Sequence, residues 1–574
     1  MHAYLDDVRV DATSLAAVVQ ATNFLASHLP TVGIQLNKLK SVVATDDMEA
    51  ARTYLPDCTI VPLAEDSWLG IPIAADVAAE RAAVSSAVLP KMTAAVEAIS
   101  NIADLQTRLL LLRYCVNSKT AHYARSLAPA AAGRMLSAVQ ALVDGCVMAI
   151  ADAPGHSTLG PARTLFLEAA RRPVRLGGLG LGCLARHAPL AYLASVWQAT
   201  ATWSRFTERQ HLVVTLMQTA PVSLTNAIAD ARLVSTAIKT IKSTTTNTTP
   251  VTLPATCMPP PITPDLDALT LSPLPEHLEK WSAAPRKLQG TLITNAAYLD
   301  MYNARARRLA VADKTKPQEA ELALELARLN PATMLPLTTT GSHPRFHLRN
   351  DEFRLTLRRA YFLPCIPLLG LSYQDVCTCG RPGQQPPLVT EVHLHNCRRK
   401  GYFGIRHDAV RDHLMDIVTL GGYTPEAEAA VAPGSASARS DLLVRHFYSA
   451  AGQGHTAALV DINIPSALST ELLPAAAITP GLQLSKAVTR KINKYNHLPV
   501  PADQRVVPLC WLSSGEADVG VKAFLWDAGR RVGQQAPEDA SWMQPTWTAY
   551  HMQALAFTIA RETARCWLRM TNVA

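Results

Sequence analysis

The sequence predicts a multidomain α+β protein, predominantly helical, that ends in a small cysteine–histidine element and an α/β domain. Three observations carry this. Residues 75–235 are Ala- and Leu-rich, with apolar residues recurring at helical spacing. Four cysteines and several histidines fall together between residues 343 and 413. Beyond residue 440 two apolar runs precede a helical one, the order strand, strand, helix. The chain has 574 residues, room for about three to five domains. At 48% hydrophobic and 17% charged it can bury large cores.

Taken in order, Tyr4-Leu5-Asp6-Asp7-Val8 reads as a strand–turn–strand tip, and residues 12–29 as a helix with Leu15, Val18, Val19, Phe24 and Leu25 apolar. Helices follow at 94–112 and 135–150. They are interrupted at Pro173-Val-Arg-Leu-Gly-Gly-Leu-Gly-Leu-Gly182. The spacing there is not Gly-x-Gly-x-x-Gly and no βαβ unit frames it, so a dinucleotide site is not expected. Residues 236–285 turn Thr- and Pro-rich and read as a linker, helix returns over 286–330, and 425–439 read as loop.

Composition excludes several classes. No apolar run approaches the roughly 18 residues of a membrane span, and the start is no signal peptide, so a nuclear or cytoplasmic location is expected, neither secreted nor membrane-bound. Eleven cysteines are too sparse for a disulfide scaffold, and their odd number fits a reducing compartment. A net charge of +8 permits nucleic-acid binding without requiring it.

Cys377-x-Cys379 followed by His393 and Cys397 is a four-ligand set for structural Zn²⁺, with His395 the rival ligand. The neighbouring Arg398, Arg399, Lys400 and Arg406 suit phosphate contacts, though a solvated basic face looks the same in sequence. Asp461 stands inside an apolar strand pattern, Leu459-Val-Asp-Ile-Asn-Ile464, where a charge is costly unless paired or metal-bound. With Asp441 on the preceding strand it can hold Mg²⁺ or Mn²⁺, and Lys491 or Lys494 on the following helix can neutralise developing charge. On the pattern alone, a structural pairing of Asp461 with an arginine, with the lysines as a solvated face, is the favoured reading. Asp6 and Asp7 at the hairpin tip suit a metal or a plain turn.

These islands occur in a familiar order. Ala3-Tyr4-Leu5-Asp6-Asp7-Val8 resembles the Tyr-x-Asp-Asp motif of reverse transcriptases. Gly33-Ile-Gln-Leu-Asn37 with Lys40 resembles the motif after it, and Trp68-Leu-Gly-Ile-Pro-Ile73 the palm–thumb junction. Leu111-Leu-Arg113-x-Cys115, Leu176-Gly-Gly-Leu-Gly-Leu181 and Ala191-Tyr-Leu-Ala-Ser195 are similar to the helical region beyond. The zinc cluster, Ser440-Asp441-Leu-Leu-Val444, Val460-Asp461-Ile-Asn-Ile464 and Ala487-x3-Lys491-x2-Lys494-Tyr495 resemble the C-terminal part of non-LTR retrotransposon proteins. There a Cys-Cys-His-Cys element precedes a restriction-like PD-(D/E)xK endonuclease.

The resemblance implies a truncated palm remnant (1–75), a helical thumb-like region (76–235), a linker (236–285), a helical connector (286–340), a basic zinc-binding segment (341–420) and an endonuclease domain (421–574). It implies Asp441, Asp461 and Lys491 or Lys494 as catalytic groups, Lys40 among the nucleic-acid contacts, and target DNA and element RNA as partners. Ser440 replaces the family's proline, and Asn463 stands where simpler enzymes of the type carry the lysine. The earlier polymerase carboxylate is not in this sequence, so Asp6 and Asp7 alone imply no polymerase activity, and Met1 is read as an internal methionine of a longer frame. The competing expectation is a catalytically dead fragment that binds nucleic acid nonspecifically.

Overall fold

The computed structural model describes the chain except residues 1, 5–6, 11, 13, 69–70, 73–75, 153–161, 204–221, 245–252, 254–287, 340–342, 380–384, 398–401, 432–438, 449–454 and 571–574. Helices dominate, and the strands form small sheets, as the α+β reading requires.

The first 75 residues carry three two-stranded pairings. His2–Tyr4 and Asp7–Arg9 form an antiparallel hairpin in which Tyr4 faces Asp7. Val42–Ala44 runs parallel to Thr59–Val61, and Ser67–Trp68 antiparallel to Ile71–Pro72. The Leu15–His28 helix starts where Ser14 accepts from the Ala17 N–H, but it buries none of its residues, and Phe24 is exposed. Little apolar surface is removed from water here, so this segment has almost no core of its own.

The helical region beyond has one. The Leu89–Ser100 and Pro129–Ala151 helices interleave Met92, Val96, Met135, Leu136 and Val139 with Leu105, Leu109 and Leu112. Val77–Ser100 and Pro129–Ala151 are long and apolar enough to cross a membrane by length and composition alone, yet their apolar faces fill this core. The Gly-rich break is a tight turn. Gly177, Gly180 and Gly182 take left-handed backbone angles, and a Cβ on Gly177 would meet Arg328 Cβ at 2.8 Å. A Cβ on Gly180 would meet Arg113 Nε at 3.0 Å, so the Leu111–Cys115 and glycine motifs pack together, and Asn117 donates to Gly180 O at 3.1 Å beside them. The Val222–Thr244 helix runs through the start of the linker expected from residue 236. The rest of it, apart from Leu253, lies outside the described residues.

The C-terminal sheet has the order Gln504–Cys510, His455–Asn463, Leu442–Tyr448, Pro425–Ala427. The first pair is parallel and the other two antiparallel. Pro425–Ala427 is therefore an edge strand within the predicted 425–439 loop. Pro508 lies on the opposite edge strand, where its missing N–H costs no ladder bond on the outer side.

One helix joins these units. Trp547–Leu568 turns Tyr550, Ala554, Phe557 and Ala560 to the helical core, and Trp547, Leu555 and Ile559 to the sheet core. Its end places Ala564, Cys566 and Trp567 beside the cysteine–histidine element. The cysteine–histidine element and the C-terminal sheet therefore both pack on a helix that also packs on the helical region.

A second junction is electrostatic. Buried Glu325 pairs with Arg172 at 2.7 Å, Arg305 at 3.2 Å and Arg308. Burial raises its pKa, but the arginines outweigh that and bring it down to about 2. The folded value lies below the ordinary 4.5, so this carboxylate's contribution is present above about pH 4.5 and is lost as pH falls toward 2. Glu325→Gln is expected to flatten that acid-side dependence and to cost about 3–5 kcal/mol near neutrality, because several buried guanidiniums lose their anion. Urea unfolding at pH 7 and pH 4 checks both. Phe557→Ala, at a fully buried position, is expected to cost about 3–5 kcal/mol in the same assay.

Candidate metal centre and acidic cluster

The four predicted zinc ligands converge. One ligand atom from each of Cys377, Cys379, His393 and Cys397 lies within 4.8 Å of all the others. Cys377 Sγ is 3.6 Å from Cys397 Sγ, and Cys379 Sγ is 3.6 Å from His393 Nε2. A tetrahedral ion with Zn–S bonds of about 2.3 Å spaces its sulfurs by about 3.8 Å, so the cluster can hold a metal such as zinc. A disulfide needs about 2.05 Å, far shorter than the separation found.

Local structure explains the convergence. Cys377 N–H donates to Pro387 O and Val389 N–H to Asp375 O, both at 2.9 Å, which folds the first cysteine pair back toward the second half. Thr390 caps the Glu391–Asn396 helix by accepting from His393 N–H at 3.1 Å. Burial lowers the His393 pKa, which favours the neutral imidazole that a metal ligand requires. His395 points elsewhere. It is buried edge-on to Trp567, with ring centroids 5.1 Å apart, and is not one of the four ligands.

Among the basic residues expected to contact phosphate, Arg406 is corrected. It is buried, and its Nη2 donates to Ile464 O at 3.0 Å. It ties the Tyr402–Leu420 helix to the end of the central strand instead of facing solvent. Arg398, Arg399 and Lys400 lie outside the described residues. Lys40 is exposed in a short turn. Of the hairpin carboxylates, Asp6 lies outside the described residues, and Asp7 opens the second strand.

The second cluster gathers Asp441, Asp461, Lys491 and Lys494. The register Leu442↔Val460, carried one step further, puts Asp441 opposite Asp461 at the strand ends. Asp441 Oδ2 accepts the Ile462 N–H at 2.5 Å, one residue beyond Asp461. Lys491, Lys494 and Tyr495 sit at i, i+3 and i+4 on the Leu482–Tyr495 helix and share one face. Lys491 Nζ pairs with Asp461 Oδ1, Lys494 Nζ with Asp461 Oδ2 at 3.0 Å, and Tyr495 donates to the same Oδ2 at 2.6 Å. Asp461 is thus buried and fully partnered. Burial and the Asp461 hydrogen bond push the Tyr495 hydroxyl well above its usual range, so it remains a donor.

Sequence reasoning missed one member. His407 Nε2 lies 3.3 Å from Asp441 Oδ1. The Asp441 hydrogen bond raises the His407 pKa against the opposing effect of burial. Burial pushes the Asp441 carboxyl up, but His407 and the Ile462 N–H outweigh it and hold it below the usual range. The signal in sequence was only an Arg-His-Asp run at the start of a helix, indistinguishable from a basic surface.

Comparison with known protein families finds no match, and no curated protein matches the chain.

For the metal centre, elemental analysis of the purified chain is expected to return about one zinc per chain, and Cys397→Ser to return little. Chelation is expected to lower the melting temperature. It should leave the far-ultraviolet helical signal mostly intact, because the element also packs on Trp567 and Met570.

Proposed function

We propose that this chain is the C-terminal portion of a reverse transcriptase of the non-LTR retrotransposon type, and that its last domain nicks DNA. The observation that carries the reading is the convergence of two carboxylates from adjacent strands with two lysines from the next helix on one point. The colinear order of the motif islands, and the zinc-type cluster directly before this domain, support it further.

Asp441 and Asp461 would hold Mg²⁺ or Mn²⁺, since such an ion needs only one or two carboxylates and keeps several waters. When bound, the ion supplies charge neutralisation at a phosphate and a more acidic water. The chain's own groups do the rest. His407 and the Ile462 N–H orient Asp441, and Tyr495 fixes Asp461. Lys491, on the enclosed side of Asp461, offers its ammonium to the charge that builds on phosphate oxygens during hydrolysis. Lys494 is nearly half exposed and suits a contact with the DNA backbone. Arg398, Arg399 and Lys400, directly after the last zinc ligand, would add phosphate contacts, with target DNA and element RNA as partners.

A plasmid-nicking assay with folded, zinc-loaded protein in Mg²⁺ or Mn²⁺ tests this. Asp461→Asn and Lys491→Met are each expected to lose about 100-fold or more of the nicking rate, and Lys494→Ala less. Absence of nicking by the unmodified chain, or equal nicking by Asp461→Asn, would sink the nuclease reading. The first outcome, combined with retained DNA binding, would favour a catalytically dead fragment.

A further inference from the structure

Most buried charge in this molecule is balanced. Glu325 answers its arginines, and Asp461 its lysines. Among the described residues, a third group is not. Arg359, on the Asn350–Ala360 helix, and Arg406, on the Tyr402–Leu420 helix, are both buried and close enough to repel each other. Both also act on buried His395. The groups that act on Arg359 in return are the thiols of Cys365 and Cys566, and Cys566 is the one that acts on Arg406. Neither thiol supplies an anion near neutral pH. Burial pushes Cys365 up to about 12, and it raises Cys566 as well. The guanidiniums stay charged, because even burial lowers them only to about 9 and about 10.

The hydrogen-bond inventory is incomplete at the same place. Arg359 Nη1, Arg406 Nε and His395 Nδ1 are buried and have no partner among the described residues. Each orphaned polar atom costs about 1–3 kcal/mol, more for a charged group. Arg406 and His395 line a cavity of about 20 Å³, together with Cys397, Ser513, Thr563, Cys566 and other side chains. That exceeds the roughly 10–15 Å³ that one water-sized occupant needs, and it is too small for a nucleotide phosphate. Ser513 Oγ accepts from Ala467 N–H at 3.0 Å, so its own proton can point to an occupant. The zinc-loaded centre does not complete the balance. Three thiolates on a divalent ion carry about one net negative charge, against two guanidiniums.

We propose that this cavity binds one small inorganic anion of the halide class, with Arg406 and His395 as its donors and Arg359 as the additional positive charge. The anion would staple three elements at one point: the Glu391–Asn396 helix of the metal centre, the Tyr402–Leu420 helix, and the end of Trp547–Leu568. Arg406 also holds Ile464 O, three residues beyond Asp461, so the occupant would brace the strand that carries the acidic cluster.

Two measurements on the zinc-loaded full chain test this. Crystals grown in bromide are expected to show an anomalous peak in the cavity, within hydrogen-bond distance of Arg406 Nε. In solution, replacing gluconate by chloride at constant ionic strength is expected to raise the melting temperature by about 2 °C or more. Arg359→Met and Arg406→Lys are expected to lose that increment. Water in place of bromide, an equal chloride response in the variants, or bromide density found only after zinc is stripped would each overturn the proposal. If the variants fail to fold, the bromide map of the unmodified chain decides alone.

Discussion

Three of the hydrophobic cores of this protein meet on one helix. Trp547–Leu568 places successive residues against the helical region, the sheet and the cysteine–histidine element, and almost every turn of it is buried. A helix apolar around most of its circumference has no stable place at a surface, so it forces the units it touches to pack around it. It is also close to the end of the chain. Its partners precede it in sequence, and their contacts with it are among the most sequence-distant in the fold, such as Arg345 with Tyr550 and Glu352 with Arg565. Closure over such separations is entropically costly and needs a large buried surface to offset it.

The metal centre and the acidic cluster are mechanically coupled by what lies between them. Asn396, next to the last cysteine ligand, donates to Leu468 O at 2.5 Å, and Arg406 donates to Ile464 O at 3.0 Å. Both acceptors lie in the segment that leaves the strand carrying Asp461. A metal ion held by Cys377, Cys379, His393 and Cys397 would therefore stiffen more than its own short loop. Through Asn396 it would steady one of the hydrogen bonds at the strand end. That is the physical sense in which a structural ion can matter to a site it does not touch.

The first 75 residues stand in contrast. They pair in strands of two or three residues, and their long helix buries none of its side chains. Two-stranded sheets of this length are marginal without a covering layer. Phe24, Ile34, Leu39 and Tyr54 are exposed apolar surface, and Phe24 stacks on its helix neighbour His28, with ring centroids 4.0 Å apart. Stability in this molecule is therefore concentrated from the Leu89–Ser100 helix onward.

Much of the site is legible in the amino-acid sequence. A carboxylate in the middle of Leu459-Val-Asp-Ile-Asn-Ile464 violates the rule that strand interiors are apolar, and spacing alone assembles Cys377, Cys379 and Cys397 with either His393 or His395 as a ligand set. Those signals are local, so a linear reading captures them. The Lys491, Lys494 and Tyr495 face is likewise a consequence of helical periodicity. What only the tertiary structure decided are the long-range choices. His407 reaches Asp441 across 34 positions, Arg406 turns inward to Ile464 O, and His395 yields the ligand role to His393 because its ring packs on Trp567. Side-chain identity tells what a residue can do. Which of those things it does depends on which distant backbone carbonyl, carboxylate or ring arrives beside it, and that is set by how the helices and the sheet close around Trp547–Leu568.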